Sequence, residues 1–482
     1  MSYGRRKIKT DATKITPENV VDEVRKATLE HDRDRSEINT LYDYYRGKTK
    51  ILRKQKEVRE SINWKITENR AYEVVRFHKG YTFGEPIQYI RREKVDENQK
   101  DDAIASGINA LNAYMAAANK AACDERLASW MYIGGTGYRM VLPNPNWSAD
   151  SEESPFELFA LDPRRTRVVY SNDVRERPLF AYCCVEREHG ERVYSGYTDE
   201  FYFEYSEHGG DVTITPHALG MIPIIEYPAN DSRLGVFETV LSLLDALDTL
   251  QSNRMDDVVQ YVNSFLAILG GELDEQTYKK LNEWKTLCLP EGTDAKYLSP
   301  AMNQYDVQTF KNDICQAILT ICGVPNRNGG SSTSDTGSAV MLRDGWEAAE
   351  AHAKSTETVF KSSEKECLKL VLRILRDTVG TNVKLTDIVP HFTRRNYENI
   401  ASKSQVLIAM LNNPSIHPEL AFSHCGMFAD PESAYLQSKA WKEENEKKAE
   451  EKAREIQGND PKGSPEGDPE AGGEAEEEGG EA

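Results

Sequence analysis

No run in the 482-residue sequence approaches the ~18 consecutive apolar residues that a membrane-spanning helix needs, so no transmembrane segment is expected. The eight cysteines are scattered, Cys183-Cys184 is the one close pair, and no Cys-x-x-Cys occurs. Zinc ribbons and redox dithiols are thereby excluded, and reduced thiols in a cytosol fit. There is no G-x-x-x-x-G-K-[ST], hence no phosphate-cradling ATPase loop of that kind, and no cofactor or metal is expected. An excess of positive charge is missing too: 60 Lys and Arg stand against 79 Asp and Glu, a formal net charge of −19. Tight binding to phosphates is driven by counterion release from basic groups, so the chain as a whole is not built to grip nucleic acid. A protein that lets DNA pass without holding it is not excluded. The basic start, MSYGRRKIKTDATK, is followed by no apolar segment and does not read as a secretory signal.

What the chain does have is 39% hydrophobic and 29% charged residues, a balance that folds, and a length that suggests roughly three domains. The organising stretch is 222–271. An extended Ile-Pro-Ile-Ile run and a turn at 228–232 lead into a helical pattern from about Val236 to Val262. Its apolar residues are Val240, Leu243, Leu244, Leu247, Leu250, Met255, Val258 and Val262. Asp231 or Ser232 is placed to cap it. At 1.5 Å per residue it spans roughly 40 Å, a strut rather than a packed core helix. A second long helix is expected from about Asn303 to Ile321, ended by Gly323-Val324-Pro325, and a third from Ala339 to about Asp377, with Gly345 able to bend it. Between the first two, Leu266–Leu269, Leu273–Leu287, Cys288–Pro290 and Ala295–Leu298 read as a small strand–helix–strand–strand unit.

Upstream, Thr16-Pro17-Glu18-Asn19 reads as a helix start. Val20, Val24, Ala27 and Leu29, then Ile38, Leu41 and Tyr45, predict two amphipathic helices. Residues 61–92 read as helix, turn and strand, with Gly80 stopping the helix and Tyr72, Val75 and Phe77 packed on one side. Glu68, Asn69 and His78 are polar candidates there, better explained as solvated or capping. Residues 99–130 are helical, and Gly134-Gly135-Thr136-Gly137 leads into the strand Tyr138–Leu142, so a hairpin is a better reading than a phosphate cradle. From 155 to 227 the period changes to two, predicting strands Phe156–Leu161, Arg167–Tyr170, Leu179–Val185, Arg192–Tyr197, Glu200–Tyr205 and Asp211–Thr215, an antiparallel module. After the third helix come an extended Val383–Phe392 and helices at Ser402–Leu411 and Ser433–Arg454. The Gly/Glu/Pro end is expected to be disordered.

Several segments together resemble the tailed-phage portal proteins, in the branch typified by the Bacillus phage SPP1 portal. They are Tyr81-Thr82-Phe83-Gly84-Glu85-Pro86, Leu161-Asp162-Pro163 with Val168-Val169-Tyr170, and Gly220–Glu226 with Asn230 and Phe237–Ser252. To these are added Gly323-Val324-Pro325-Asn326 and Thr336-Gly337-Ser338-Ala339. Their order and spacing, over roughly 15–440, carry the likeness. It implies an α+β portal fold with a helical/β wing (1–231), a stem helix (232–262), a small α/β clip (263–302) and a second stem helix (303–322). A tunnel loop (323–338), a long wing helix (339–377), a helical crown (378–457) and a disordered acidic tail (458–482) would follow.

The resemblance also implies a dodecameric homo-oligomeric ring in the virion, at a unique capsid vertex and assembled in the host bacterial cytoplasm. Double-stranded DNA would pass through it. Terminase, a head-completion adaptor, and the major capsid and scaffolding proteins would be partners, with no membrane and no enzyme activity. A channel wall must repel DNA more than it attracts it, and Asp245, Asp248, Asp256 and Asp257 would serve if they face the lumen; by period alone they can equally solubilise an outer face. Asn326, Arg327, Asn328, Ser331, Ser332, Thr333 and Ser334 would touch DNA in the tunnel loop. Tyr278, Leu281 and Trp284 would anchor partners at the clip or form its own core. Two other classes stay open: an enzyme using the loops at 134–137 or 329–337 as a phosphate or substrate cradle, and a non-ring virion structural protein.

Overall fold

The computed structural model describes residues 4–55, 60, 62–92, 102–187, 190–207, 212–262, 265–269, 294–298, 304–326, 345–394, 400–428 and 431–458. Two compact units divide the chain, Met1–Glu398 and Asn399–Ala482.

The first unit is built on a sheet whose residues alternate as period two predicts. Along β8 (Phe201–Ser206), Phe201, Phe203 and Tyr205 are buried while Tyr202 and Glu204 are partly open. β8 lies between β7 (Arg192–Tyr197) and β9 (Val212–Pro216). The six-stranded order runs from β1 (Ile8–Thr10) through β5 (Thr166–Ser171), β6 (Pro178–Glu186), β7 and β8 to β9. All pairs are antiparallel except β1 with β5. Helix α1 (Val20–Tyr45) covers one face, with Val20, Val24 and Ala27 packed on Phe180, Tyr182 and Phe203.

α1 is a single 26-residue helix where two were expected. Its charged middle disguised the inner face. His31 Nε2–H donates to the Pro163 carbonyl at 3.1 Å, and its Nδ1 lies 3.2 Å from Tyr182 OH, while Asp34 pairs with the buried Arg167. Leu29, expected inside, is 78% exposed.

A three-stranded sheet, β10 (Ile224–Pro228), β3 (Thr136–Pro143) and β4 (Phe156–Leu161), joins the main core. Helix α2 (Arg70–Phe83) passes through Gly80 and ends at Gly84, so Gly80 does not stop it; Val75 is buried as expected, but Tyr72 is 45% exposed and Val74 is inside. β2 (Gln88–Arg91) follows. The helical 99–130 stretch is two helices, α3 (Asp102–Ala117) and α4 (Lys120–Gly134), broken at Asn119, which has φ +52°. The glycine turn after α4 is a helix-to-strand connection and not a hairpin. Gly135 has φ +81°, and a Cβ there would collide with the Arg233 carbonyl, so the glycine is required by backbone geometry.

The first long helix, α5 (Leu241–Val262), starts later than expected, after a 3-10 turn at Glu238–Val240. Asp231 and Ser232 are therefore not its cap. Asn230 organises the approach, its Oδ1 accepting the Leu234 N–H at 3.0 Å and its Nδ2 donating to the Leu234 carbonyl at 2.9 Å. β11 (Phe265–Leu269) pairs antiparallel with β12 (Asp294–Leu298), and α6 (Gln304–Ile321) returns. The intervening helix expected at Leu273–Leu287 and strand at Cys288–Pro290 lie outside the described residues.

Next comes α7 (Trp346–Thr378), with Gly345, at φ +84°, directly before it; the start expected at Ala339 lies outside the described residues. β13 (Ile388–His391) pairs with β2, and Val383, Ile388 and Phe392 sit in the first unit's core. Residues 383–392 thus pack with the first unit, and the second compact unit begins at Asn399 rather than 378. That unit contains α8 (Ile400–Leu411), α9 (Pro418–Cys425) and α10 (Pro431–Gly458). α9 was not foreseen, although His417 caps it and Pro418 opens it.

Candidate functional site

α5 has three differently occupied sides. Leu244 and Leu247 join Ile314 and Ile318 of α6 in the main core, and Arg254 Nη1 donates to Gln308 Oε1 at 2.9 Å. High numbers on α5 meet low numbers on α6, so the two helices run antiparallel. Roughly a third of a turn away at 100° per residue, Asp245, Asp248, Ser252 and Asp256 face another partner. Between these sides Ser242, Ala246, Thr249, Asn253 and Asp257 form an exposed stripe, small and polar with one charge.

The partner of the acidic side is a two-limbed strap, residues 49–54 and 62–69. Asp248 accepts from Thr49 Oγ1 at 2.5 Å and from the Glu68 N–H at 2.8 Å. Ser252 Oγ accepts the Ile66 N–H at 2.9 Å, and Asp256 accepts the Trp64 N–H at 2.8 Å, with Lys54 Nζ 3.5 Å away. Asp245 accepts from Tyr44 OH at 2.6 Å and pairs with Lys50 at 2.8 Å.

The spacing explains the match. Alternate amides of an extended chain advance by roughly 6.6 Å, and four helical residues by roughly 6 Å, so the 64, 66 and 68 amides meet acceptors at 256, 252 and 248. The limbs run antiparallel to one another: Thr49 lies beside Thr67, Lys65 Nζ donates to the Leu52 carbonyl at 2.9 Å, and Asn63 Nδ2 to the Lys54 carbonyl at 3.3 Å. Ile51 and Ile62 are buried beneath. Glu68 closes the seam, accepting from Gln251 at 2.8 Å and pairing with Lys311 of α6 at 3.0 Å.

The four acids therefore do not share one role. Asp248 and Asp256 are 2% and 1% exposed and turned into their own subunit, neither lumen-facing nor solubilising as the sequence suggested, because both carboxylates are taken by strap amides. Burial pushes the Asp248 carboxyl above its ordinary range, against the pull of Thr49 and the Glu68 amide. Asp245 is partly covered, and only Asp257 stands on the exposed stripe. Asn326 is half-buried beyond the end of α6. Arg327, Asn328, Ser331, Ser332, Thr333 and Ser334, and the anchors Tyr278, Leu281 and Trp284, lie outside the described residues, as does the loop 329–337.

The other polar candidates are structural. Asn69 caps α2 by accepting the Tyr72 N–H at 3.0 Å, and His78, held near pKa 4 by burial, donates Nε2–H to the Cys322 carbonyl at 2.7 Å. The 134–137 turn follows a helix and precedes a strand, the reverse of a phosphate cradle. Beside the end of α6 a cleft of about 700 Å³ is lined by Phe77, Tyr81, Val324, Trp346 and Thr393 among others. Among the described residues no group of three or more His, Cys, Asp or Glu is placed to hold a metal ion, and no helix is long and apolar enough to cross a membrane.

Sequence reasoning missed the strap. The signal was charge: residues 46–65 carry eight Lys and Arg against two Glu in a chain of net −19.

The model of the family described as "Phage portal protein, SPP1 Gp6-like" matches residues 26–458, and the chain belongs to that family. Solved structures similar to the chain include the neck of an empty gene transfer agent particle computed with C6 symmetry, at 14% identity and a TM-score of 0.44, covering 74% of this chain and 90% of that one. The virion of a native gene transfer agent particle and the neck of a native particle computed with C12 symmetry each match at 14% identity and a TM-score of 0.42, covering 74% and 89%. No curated protein matches the sequence.

Proposed function

We propose that copies of this portal protein stand side by side in a ring of twelve at one capsid vertex, with α5 and α6 as its stem and double-stranded DNA passing down the middle during packaging and ejection. The observation that carries this reading is the family match over 26–458, to which the antiparallel α5–α6 pair gives physical form. The exposed stripe of α5, with Asp257 its single charge, is the surface we assign to the lumen. The stripe's own side chains are short and include no cation to hold a passing duplex's phosphates, and the Lys54 ammonium beside it is engaged by Asn253 at 2.6 Å and Asp256 at 3.5 Å. Residues 323–338 serve as the tunnel loop, 263–302 as the clip on which terminase and then a head-completion adaptor dock, and the second unit as the crown. The protein assembles in the host cytoplasm with capsid and scaffolding proteins and remains in the virion. It supplies no chemistry of its own; the energy for packaging comes from terminase.

Particle images and native mass of the purified protein test the proposal. Rings with a central hole are expected, and a compact monomer at all concentrations overturns it.

A further inference from the structure

The strap and α6 occupy different sides of α5, and each turns an unusual face outward. α6 exposes Phe310 (56%) and Ile321 (52%), which with Ala317 fall on one stripe at spacings of seven and four, and Asp306 and Asp313 lie alongside. The strap exposes Leu52 (42%) and Trp64 (47%) together with Lys48 and Arg53. Among the described residues no ion pair engages Lys48, Arg53 or Asp313. One flank is thus apolar and acidic, the other apolar and basic. Their lengths agree: Phe310 to Ile321 spans roughly 16 Å, and the strap follows α5 from 248 to 256 over roughly 12 Å.

We infer that the outer face of α6 in one subunit is covered by the strap of the next, Phe310, Ala317 and Ile321 packing on Leu52 and Trp64, and Asp313 meeting Lys48 and Arg53. The inference rests on the ring proposed above and names the contact that closes it. Large apolar side chains grouped on a surface mark an interaction site, and a tryptophan rimmed by charges is the usual anchor of one. A second copy is the occupant because both halves are present on one chain, on separate flanks and with opposite charge. That is the requirement for a head-to-tail contact which repeats until it closes. The acids of α5 gain a purpose: by taking the strap's amides, and Lys50 and Lys54 with them, they fix its backbone while Leu52, Arg53 and Trp64 stay exposed.

Charge exchange tests this. Asp313→Lys alone, and Lys48→Glu with Arg53→Glu alone, are each expected to raise the protein concentration needed for ring formation at least tenfold, read by native mass and particle images. All three substitutions in one chain restore rings, because every contact is then reversed alike. Phe310→Ser, at a site open in the single subunit, is expected to leave helix content and melting unchanged while abolishing rings. Rings at unaltered concentration in the separate charge variants and in Phe310→Ser, or no recovery in the combined variant, overturn the assignment of faces. Strap variants that form normal rings but package DNA poorly overturn it in favour of a DNA contact. A wild-type protein that never forms rings fails the ring reading itself, a distinct result.

Discussion

The interior of the sheet-bearing body and the surface of α5 both bury acidic side chains, but they satisfy them in opposite ways. In the body charge meets charge. Glu364 on α7 takes Arg139 Nη1 at 2.7 Å and Tyr227 OH at 2.8 Å, with Lys120 at 3.3 Å and Tyr89 also donating, and Arg139 reaches on to Asp124. Nearby Glu226 is gripped by Arg233 Nε at 2.8 Å; although burial works to raise it, the guanidinium holds its carboxyl at about 2. On α5 the buried Asp248 meets a hydroxyl and a backbone N–H, and its carboxyl rises instead of falling. The ion network locks five elements, β2, α4, β3, β10 and α7, into one arrangement across more than two hundred residues of sequence. The α5 ladder holds a backbone and leaves that backbone's side chains free to do something else. The first arrangement sets the fold, and the second presents a surface.

The largest expected effect comes from breaking the network. Arg139→Met leaves Glu364 and Asp124 buried with Lys120 as their one cation, and should cost about 3–5 kcal/mol of unfolding free energy in urea. Adding Glu364→Leu should recover most of that loss, because Lys120 and Asp124 remain paired and the vacated space becomes apolar. A single variant that melts like wild type, or a double variant no better than the single, would break the claim that charge pairing locks the body.

Acid sharpens the comparison next. Burial holds His31 at about 3 and His78 at about 4, both below their ordinary value. Depressed histidines contribute stability that is fully present above pH ~6.5 and is lost as pH falls towards their folded values. At pH 5 each should cost about 2 kcal/mol relative to neutral pH. Asp248 has the opposite sign, since protonation relieves a buried carboxylate. Between pH 6.5 and 4, then, hydrogen exchange should quicken at α1 and α2 before the Trp64, Ile66 and Glu68 amides of the strap. Strap amides that exchange first in this window would show that the acids of α5 depend on their charge more than their burial implies.

What was legible in the sequence follows the same division. Strands β3 to β9 were readable because alternation is a local signal, and Phe201, Phe203 and Tyr205 declare their side without help from distant residues. Both helices of the α5–α6 pair were readable from apolar spacing. What failed most was the inference that a polar residue within a helical pattern faces water. His31 and Asp34 made one helix look like two, since their partners Pro163 and Arg167 lie more than a hundred residues away. Asp248 and Asp256 looked like surface acids for the same reason: helical period places residues on a face but does not say that a strap will cover it. Gly80 was misread because its flanks, Phe77 and Phe83, pack on aromatic neighbours and carry the helix through.

The smallest expected effect is the most discriminating, because it compares two adjacent acids. Asp256 is buried against the Trp64 amide; Asp257 is exposed one residue on. Asp256→Ala orphans that amide and should cost about 1–3 kcal/mol, with faster proteolysis inside residues 49–69 as the strap loosens. Asp257→Ala should change stability by no more than about 0.5 kcal/mol and leave the strap protected. If the exposed stripe lines the channel, Asp257→Lys should form rings as wild type does but slow DNA packaging, since each subunit would then bring a cation to the passing phosphates. Unchanged packaging by Asp257→Lys rings removes the stripe from the lumen while leaving the strap's docking untouched; equal loss of stability in the two alanine variants would instead show that the helix face, not the individual partner, decides what an acid on α5 does.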